Sequence, residues 1–301
     1  MKPAQQPIIF KTISELMRGM GMPKPLHPLV AVVNYDATRI SRENAGRSFL
    51  IDFYKISFKQ NFRGQVKYGQ GYYDFEEGGL AFLAPNQLVT MTGDESSYEG
   101  YTLYFHADLI RNYPLGKNMD QYGFFAYAVN EALFLSDKEK KVIGALFESI
   151  AAELDNNTDA FSQDVLVSQI ELLLNYSNRF YNRQFLTRKA VNNDLISQMN
   201  SFLAIRFTDH VDGIPTVQEV ARHLNVSPRY LTDMLKTLTG QSTQQHIHDR
   251  LIERAKVMLT TTRMNIAEIA YQLGFEHPQS FNKLFKRNTA LSPSKFRQSF
   301  N

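Results

Sequence analysis

The sequence predicts an α+β chain of two domains: an amino-terminal β-sandwich or small barrel followed by a helical pair, and an all-α carboxy-terminal part. Three observations lead there. The chain has 301 residues, and domains run to roughly 150 residues each. The apolar period changes from that of strands to that of helices along the chain, and a helical segment of the last third is duplicated. The division places one domain at 1–190, with strands over about 49–110 and the helical pair over about 136–183, and the other at 191–301.

Ile13 to Met20 reads as a short helix that stops at Gly21-Met-Pro-Lys-Pro25, because two prolines forbid continuation. Strands follow at Phe49–Phe58, Gln65–Tyr68, Gly71–Phe75, Leu80–Leu83 and Tyr101–His106. The segments between them, such as Gly69-Gln-Gly71 and Glu76-Glu-Gly-Gly79, carry residues that tolerate positive φ. Ser136-Asp-Lys-Glu139 has capping-box spacing and opens a helix with the stripe Ile143, Leu146, Phe147, Ile150 and Leu154. After Asp155–Asp159 a second stripe runs through Leu166, Ile170, Leu173, Leu174, Ser177 and Tyr181. That stripe fits a homodimer interface, and burial against the strands would leave the same pattern. Residues 182–194 have no long apolar pattern and read as the linker.

Hydrophobic residues at 43% and charged residues at 21% exclude a disordered chain. The chain has no cysteine, which excludes disulfides, thiol nucleophiles and cysteine metal sites. Met1–Pro7 lacks an apolar signal region, and no stretch approaches about 18 uninterrupted apolar residues, so the expectation is a cytoplasmic protein with no membrane contact. Enzyme chemistry finds no support. The first 190 residues hold only His27 and His106, His246 and His248 point to different faces of one helix, and no Gly-x-x-x-x-Gly-Lys or Gly-x-Ser-x-Gly motif occurs. No catalytic residue, metal or cofactor is assigned.

The net charge of +3 hides an asymmetry. Residues 1–189 hold 20 basic and 21 acidic residues, whereas 190–301 hold 13 and 9, so the last third is +4. Its placement matters more than its size. Val217, Glu219, Val220, Ala221 and Leu224 recur 49 residues later as Ile266, Glu268, Ile269, Ala270 and Leu273. Each copy reads as a short helix with alanine at a crossing point and a turn at Asn225 or Gly274. A second helix then opens at Ser227-Pro228 or His277-Pro278. In those second helices Leu231 and Leu235, or Phe281 and Phe285, face inward. Arg229, Thr232, Asp233 and Lys236, or Gln279, Asn282, Lys283 and Lys286, are left outward. Asp233 would read cytosine, orient Arg229 or repel phosphate.

The run Ala221-x-x-Leu224-x-x-Ser227-x-x-Tyr230-Leu231, Gly240-Gln-Ser242, Ile266-x-Glu268-Ile269-Ala270-x-x-x-Gly274-Phe275 and Ser292-Pro293-x-x-Phe296-Arg297 resembles the AraC/XylS family of transcription regulators over about 195–299. Ala290-Leu291 stands where that family often has a glycine before Ser-Pro. The resemblance implies a double helix–turn–helix joined by a connecting helix, here about Thr243 to Leu259, and a cupin-like sensory and dimerisation domain upstream. It further implies an activator that binds double-stranded DNA, meets RNA polymerase and answers to a small-molecule effector. The alternative is a regulator whose first domain binds a protein partner and no effector. Side-chain chemistry nominates Arg229, Thr232, Gln279, Asn282 and Lys283 for bases and Lys236, Lys286, Arg287, Lys295 and Arg297 for phosphates. Tyr54, Phe58, Tyr68, Tyr72, Tyr73, Phe75, Phe82, Tyr101 and Phe105 would line an effector cavity or fill the core.

Overall fold

Strand register, more than composition, decides the architecture of the first half. The computed structural model describes residues 7–35, 48–62, 65–68, 71–74, 78–90, 98–157, 159–208 and 213–300. The chain divides into two units, Met1–Gln184 and Phe185–Asn301. No helix among the described residues is long and apolar enough to cross a membrane.

The first unit holds strands β1 (Ile8–Phe10), β2 (Val30–Asn34), β3 (Ser48–Ile51), β4 (Tyr54–Phe62), β5 (Gln65–Tyr68), β6 (Gly71–Asp74), β7 (Gly79–Leu83), β8 (Leu88–Thr90), β9 (Tyr98–Phe105) and β10 (Leu133–Phe134). A five-stranded antiparallel sheet runs β10-β7-β4-β9-β2, a three-stranded sheet β1-β3-β8, and β5-β6 form a hairpin. The strand expected over Phe49–Phe58 is in fact two, β3 and β4, in different sheets. Between them Asp52 N donates to Phe10 O at 3.1 Å, and Asn86 N donates to Ile51 O at 2.7 Å. Contacts remote in sequence thus end the first strand. Four further strands, β1, β2, β8 and β10, are not marked by the sequence pattern; three of them have three residues or fewer.

Directly opposed residues of an antiparallel pair share a face. One face of the large sheet carries Tyr54, Ile56 and Phe58 of β4, Phe82 of β7, and Tyr101, Leu103 and Phe105 of β9. Helix α4 (Asp137–Asp155) covers it: Phe147 stacks on Phe58 and on Tyr101, each at 5.8 Å between centroids. Phe82 meets Phe124 at 4.2 Å and Phe125 at 5.5 Å. Only about 10 Å³ is left open between Phe82, Phe124 and Tyr181, room for no more than a water. These aromatic residues are core, so of the two alternatives Phe58, Phe82 and Phe105 take the filled core. Tyr68, Tyr72, Tyr73 and Phe75 lie outside the residues whose side chains are described.

Thr12 and Glu15 form a reciprocal capping box that starts helix α1 (Ile13–Gly19), and Ser136 and Glu139 do the same for α4. Each box satisfies two orphan donors of a helix start. Glu139 also receives Arg183 of helix α5 (Ser162–Thr187) through Nε and Nη2, at 3.0 and 2.8 Å. Leu166, Ile170, Leu173, Leu174 and Tyr181 are buried within this one chain. The α5 stripe is therefore spent within this chain, so of its two alternatives those residues take burial and not a dimer interface. His106 caps helix α2 (Ala107–Ile110), its Nδ1 accepting from Asp108 N at 3.2 Å. His27 Nδ1 accepts from Leu29 N at 3.1 Å. Both histidines stabilise turns.

Residues 182–194, expected as a linker, are helical. After α5 ends at Thr187, helix α6 (Lys189–Thr208) begins. Buried Asn192 donates Nδ2 to Phe185 O at 2.7 Å, closing the joint between the two helices. One such polar anchor and one buried ring hold what composition alone reads as a loose connection.

Candidate nucleic-acid interface

The second unit is entirely helical among its described residues. After α6 come α7 (Val217–His223), α8 (Pro228–Thr239), α9 (Thr243–Thr261), α10 (Ile266–Gln272), α11 (Pro278–Thr289) and α12 (Pro293–Gln298), with α9 packed against α6, α8, α10, α11 and α12. The repeat produces two matching helix pairs. Thr216 with Glu219, and Asn265 with Glu268, close capping boxes at the starts of α7 and α10. Ala221 and Ala270 are fully buried at the crossings. Val226 N donates to Ala221 O and Phe275 N to Ala270 O, both at 3.0 Å. Asn225 and Gly274 take left-handed backbone, at φ 54° and 87°. Pro228 and Pro278 then occupy the first turn of α8 and α11, where a missing N–H costs nothing.

On α8 the buried side is Tyr230, Leu231, Met234 and Leu235, and on α11 it is Phe281 and Phe285. Arg229 and Lys236 stand exposed on α8. Arg229 Nε donates to Asp233 Oδ2 at 2.9 Å, so Asp233 orients the guanidinium. Thr232 is half-buried, its hydroxyl 3.0 Å from that of Thr243 at the start of α9. On α11, Gln279, Asn282, Lys283, Lys286 and Arg287 are all exposed, as is Lys295 on α12. Arg297 is placed differently: its Nε donates to Leu259 O at 3.0 Å and its Nη2 is buried. It ties α12 to the last turn of α9, which corrects its place among exposed phosphate contacts. Nothing in local spacing marks Arg297, because its partner lies 38 residues away.

The hub helix carries the remaining polar contacts. Nineteen residues give α9 a length of about 28 Å at 1.5 Å per residue. His246 Nε2 meets Thr239 Oγ1 at 2.9 Å and His248 Nε2 meets Gln244 Nε2 at 2.8 Å. Burial lowers the pKa of both imidazoles, and the Arg287 charge lowers that of His248 further. Both are therefore neutral at pH 7, and the positive face belongs to lysine and arginine. Glu219 is held below the usual carboxylate range, first by the hydrogen bonds from Thr216 and then by Arg206, whose Nη2 lies 3.4 Å away. Of the three roles open to Asp233, the structure shows the pairing with Arg229, whereas no local signal marks Thr243 as a partner of Thr232.

A family model for a helix-turn-helix domain matches residues 220–299. Regulatory protein SoxS of Salmonella typhimurium is 34% identical over 89 residues, covering 30% of this chain and 83% of that protein. The chain belongs to the AraC family of transcription regulators. The arabinose operon regulatory protein of Escherichia coli is 36% identical over 91 residues, 30% of this chain and 31% of that protein. The HTH-type transcriptional activator RhaS of Klebsiella pneumoniae is 30% identical over 156 residues, 52% of each chain. The chain thus spans about a third to a half of the length of the arabinose and RhaS relatives it matches.

One AraC-family position is filled against backbone preference. Ala290 ends α11 at φ 61°, whereas Gly240 ends α8 at φ 76°. A left-handed residue other than glycine costs roughly 1–2 kcal/mol, and glycine returns about half of that through its freer unfolded chain. Ala290→Gly is expected to stabilise the helical unit by about 0.5–1 kcal/mol, read as slower amide exchange in α11 and α12. Unchanged or faster exchange there would show that the cap is unstrained.

Proposed function

We propose that this chain is a sequence-specific, DNA-binding transcription activator that reads two successive major-groove segments with α8 and α11. Its strand unit serves as a cupin-like sensory domain under the control of a small ligand. The observation that carries the DNA-reading half is the repetition: two capped helix pairs present the same polar side, on either flank of a helix about 28 Å long. Successive major grooves on one side of a duplex lie about 34 Å apart. A single spacer of that length suits one chain reading both.

Side-chain chemistry sorts the contacts. Arg229, steadied by Asp233, suits guanine, Gln279 and Asn282 suit adenine, and Lys283 suits guanine O6 and N7. Thr232 would have to release Thr243 or contact a thymine methyl with its own. Lys236, Lys286, Arg287 and Lys295 are exposed cations suited to phosphates, contacts that carry no sequence information. Activation is supported by the printed name of the RhaS relative, and it implies contact with RNA polymerase.

The test begins with the full chain on duplexes chosen from a genomic-fragment selection. Affinity is expected to fall steeply with salt, by a slope of about 0.9 per neutralised phosphate. Lys286→Ala is expected to weaken all sequences alike and to lower that slope by about 1. Gln279→Ala and Lys283→Ala are expected to cost about 1–3 kcal/mol at preferred sites and to relax preference there. Salt-insensitive binding, or a Lys283→Ala loss equal on every sequence, would overturn the assignment.

A further inference from the structure

The large sheet ends on β2, and among the described residues no strand lies on its outer side. His106 N donates to Leu29 O at 2.8 Å. Carried along the register Ala31↔Tyr104 and Val33↔Thr102, antiparallel alternation turns the Ala31 and Val33 backbone toward β9 and the Val32 N–H and C=O outward. Edge strands are ordinarily blunted by charged side chains or proline. Val30–Asn34 contains neither, and Val32 is only half-buried.

This edge is the floor of a groove of about 620 Å³. One wall is α1 and the segment after it, with Met17, Met20, Met22 and Lys24; the other is the end of α4, with Ala151, Leu154 and Asp155. Methionine adapts to varied apolar partners. Pro23 and Pro25 in the first wall have no N–H with which to close the ladder themselves. Lys24 and Asp155 are exposed, so the two walls carry opposite charges. The floor decides what fills the groove. A ladder edge is matched by backbone amides in extended conformation, which fatty chains and sugars lack, and an extended chain sends successive side chains to opposite walls. A second copy fits less well: an antiparallel pairing of two β2 edges keeps each face of the sheet continuous, so Lys24 would approach Lys24 and Asp155 would approach Asp155.

We propose that the β2 edge accepts an extended segment of a partner protein as an added strand, with apolar side chains against both walls, an acidic side chain at Lys24 and a basic one at Asp155. The anchor is the Val32 N–H and C=O, and the five residues of β2 span about 17 Å at roughly 3.3 Å each, the reach of a short peptide. Such docking needs no small effector and stands whether or not a ligand controls the strand unit.

The experiment titrates the full chain into labelled peptides of about seven residues, mostly valine and leucine, and reads fluorescence anisotropy. Each carries one glutamate and one lysine an odd number of positions apart, so that the two charges fall on opposite faces. Two control sets are N-methylated at alternate amides, one in each phase. The unmodified peptides are expected to bind saturably. Methylation in the phase that faces β2 should weaken binding about tenfold or more, and methylation in the other phase should change it less than about twofold. Val32→Pro removes an outward N–H from an edge strand, a place where proline is tolerated. That variant is expected to melt as the native chain does and to bind about tenfold more weakly. Lys24→Glu, on the surface, is expected to weaken the same peptides and to prefer one whose glutamate is replaced by lysine, so the assignment stays testable even if Val32→Pro fails to fold. Equal effects of the two methylation phases, or affinity that ignores Lys24→Glu, would place the peptide elsewhere and overturn the site. Self-association of the native chain that Val32→Pro abolishes would make a second copy the occupant and overturn the partner assignment. No binding by any peptide of the series would overturn the added-strand reading.

Discussion

Gly274→Ala is expected to destabilise the helical unit by about 3–4 kcal/mol and to abolish DNA binding in proportion. Gly274 has φ 87°, and a Cβ built there would lie 2.7 Å from Gly213 Cα, 2.8 Å from Gly213 C and 2.9 Å from Ile214 N. All three are backbone atoms, which cannot swing aside as a side-chain end would. The left-handed conformation costs an alanine roughly 1–2 kcal/mol, and forcing extra volume into closed packing adds about 1–3 kcal/mol. Asn225 is the internal control, with the same backbone region at φ 54° and an exposed side chain. Asn225→Ala should cost only about 1 kcal/mol. Amide exchange across α10 and α11, measured on the full chain, separates the two variants. Equal protection in Gly274→Ala and Asn225→Ala would show that the Gly213 backbone yields.

The helix pairs were legible because their determinants are local. A buried alanine, a left-handed turn residue five or fewer positions on, and a proline opening the next helix all lie within one short window, so spacing and geometry say the same thing. The exposed side of α11 followed from the same periodicity. Thr232 and Arg297 did not, since each is turned by a partner on another helix, Thr243 and Leu259. Strands fare worse for the same reason. Phe49 to Phe58 is uninterrupted in β character, and only the distant Phe10 and Asn86 contacts split it.

The alternation of β4 leaves open what covers each of its faces. Tyr54, Ile56 and Phe58 interleaved with Lys55, Ser57 and Lys59 is the pattern of a strand half-buried and half wet. Here α1 and the segment Ile51–Phe53 roof part of the polar side, so both faces lie inside the unit. Period gives the number of faces and leaves open what covers each of them. The linker is a parallel case: polar composition suggested an irregular chain, and a buried Asn192 joining two helices satisfies what composition left open.

Phe285→Ala is expected to cost about 3–5 kcal/mol, the range for removing a fully buried aromatic ring, and to erase the contribution of the second DNA segment. Phe285 is fully buried, with Phe281 at 5.7 Å and Phe296 at 5.4 Å between ring centroids. The cluster extends through Phe275 beside Phe281 and Phe300 beside Phe296. These rings join α11 to the turn before it and to α12 after it, so their loss loosens the helix that carries Gln279, Asn282 and Lys283. The first pair has its own core in Tyr230, Leu231, Met234 and Leu235 and should keep reading its segment. Native protein is expected to discriminate strongly between a duplex with both segments and one with the second scrambled. Phe285→Ala should bind the two almost equally, at the lower affinity, while Phe285→Leu, which keeps most of the volume, should retain discrimination. If Phe285→Ala distinguishes the duplexes as the native chain does, α11 is held in place by other contacts, and the aromatic cluster does not set the register of the second recognition helix.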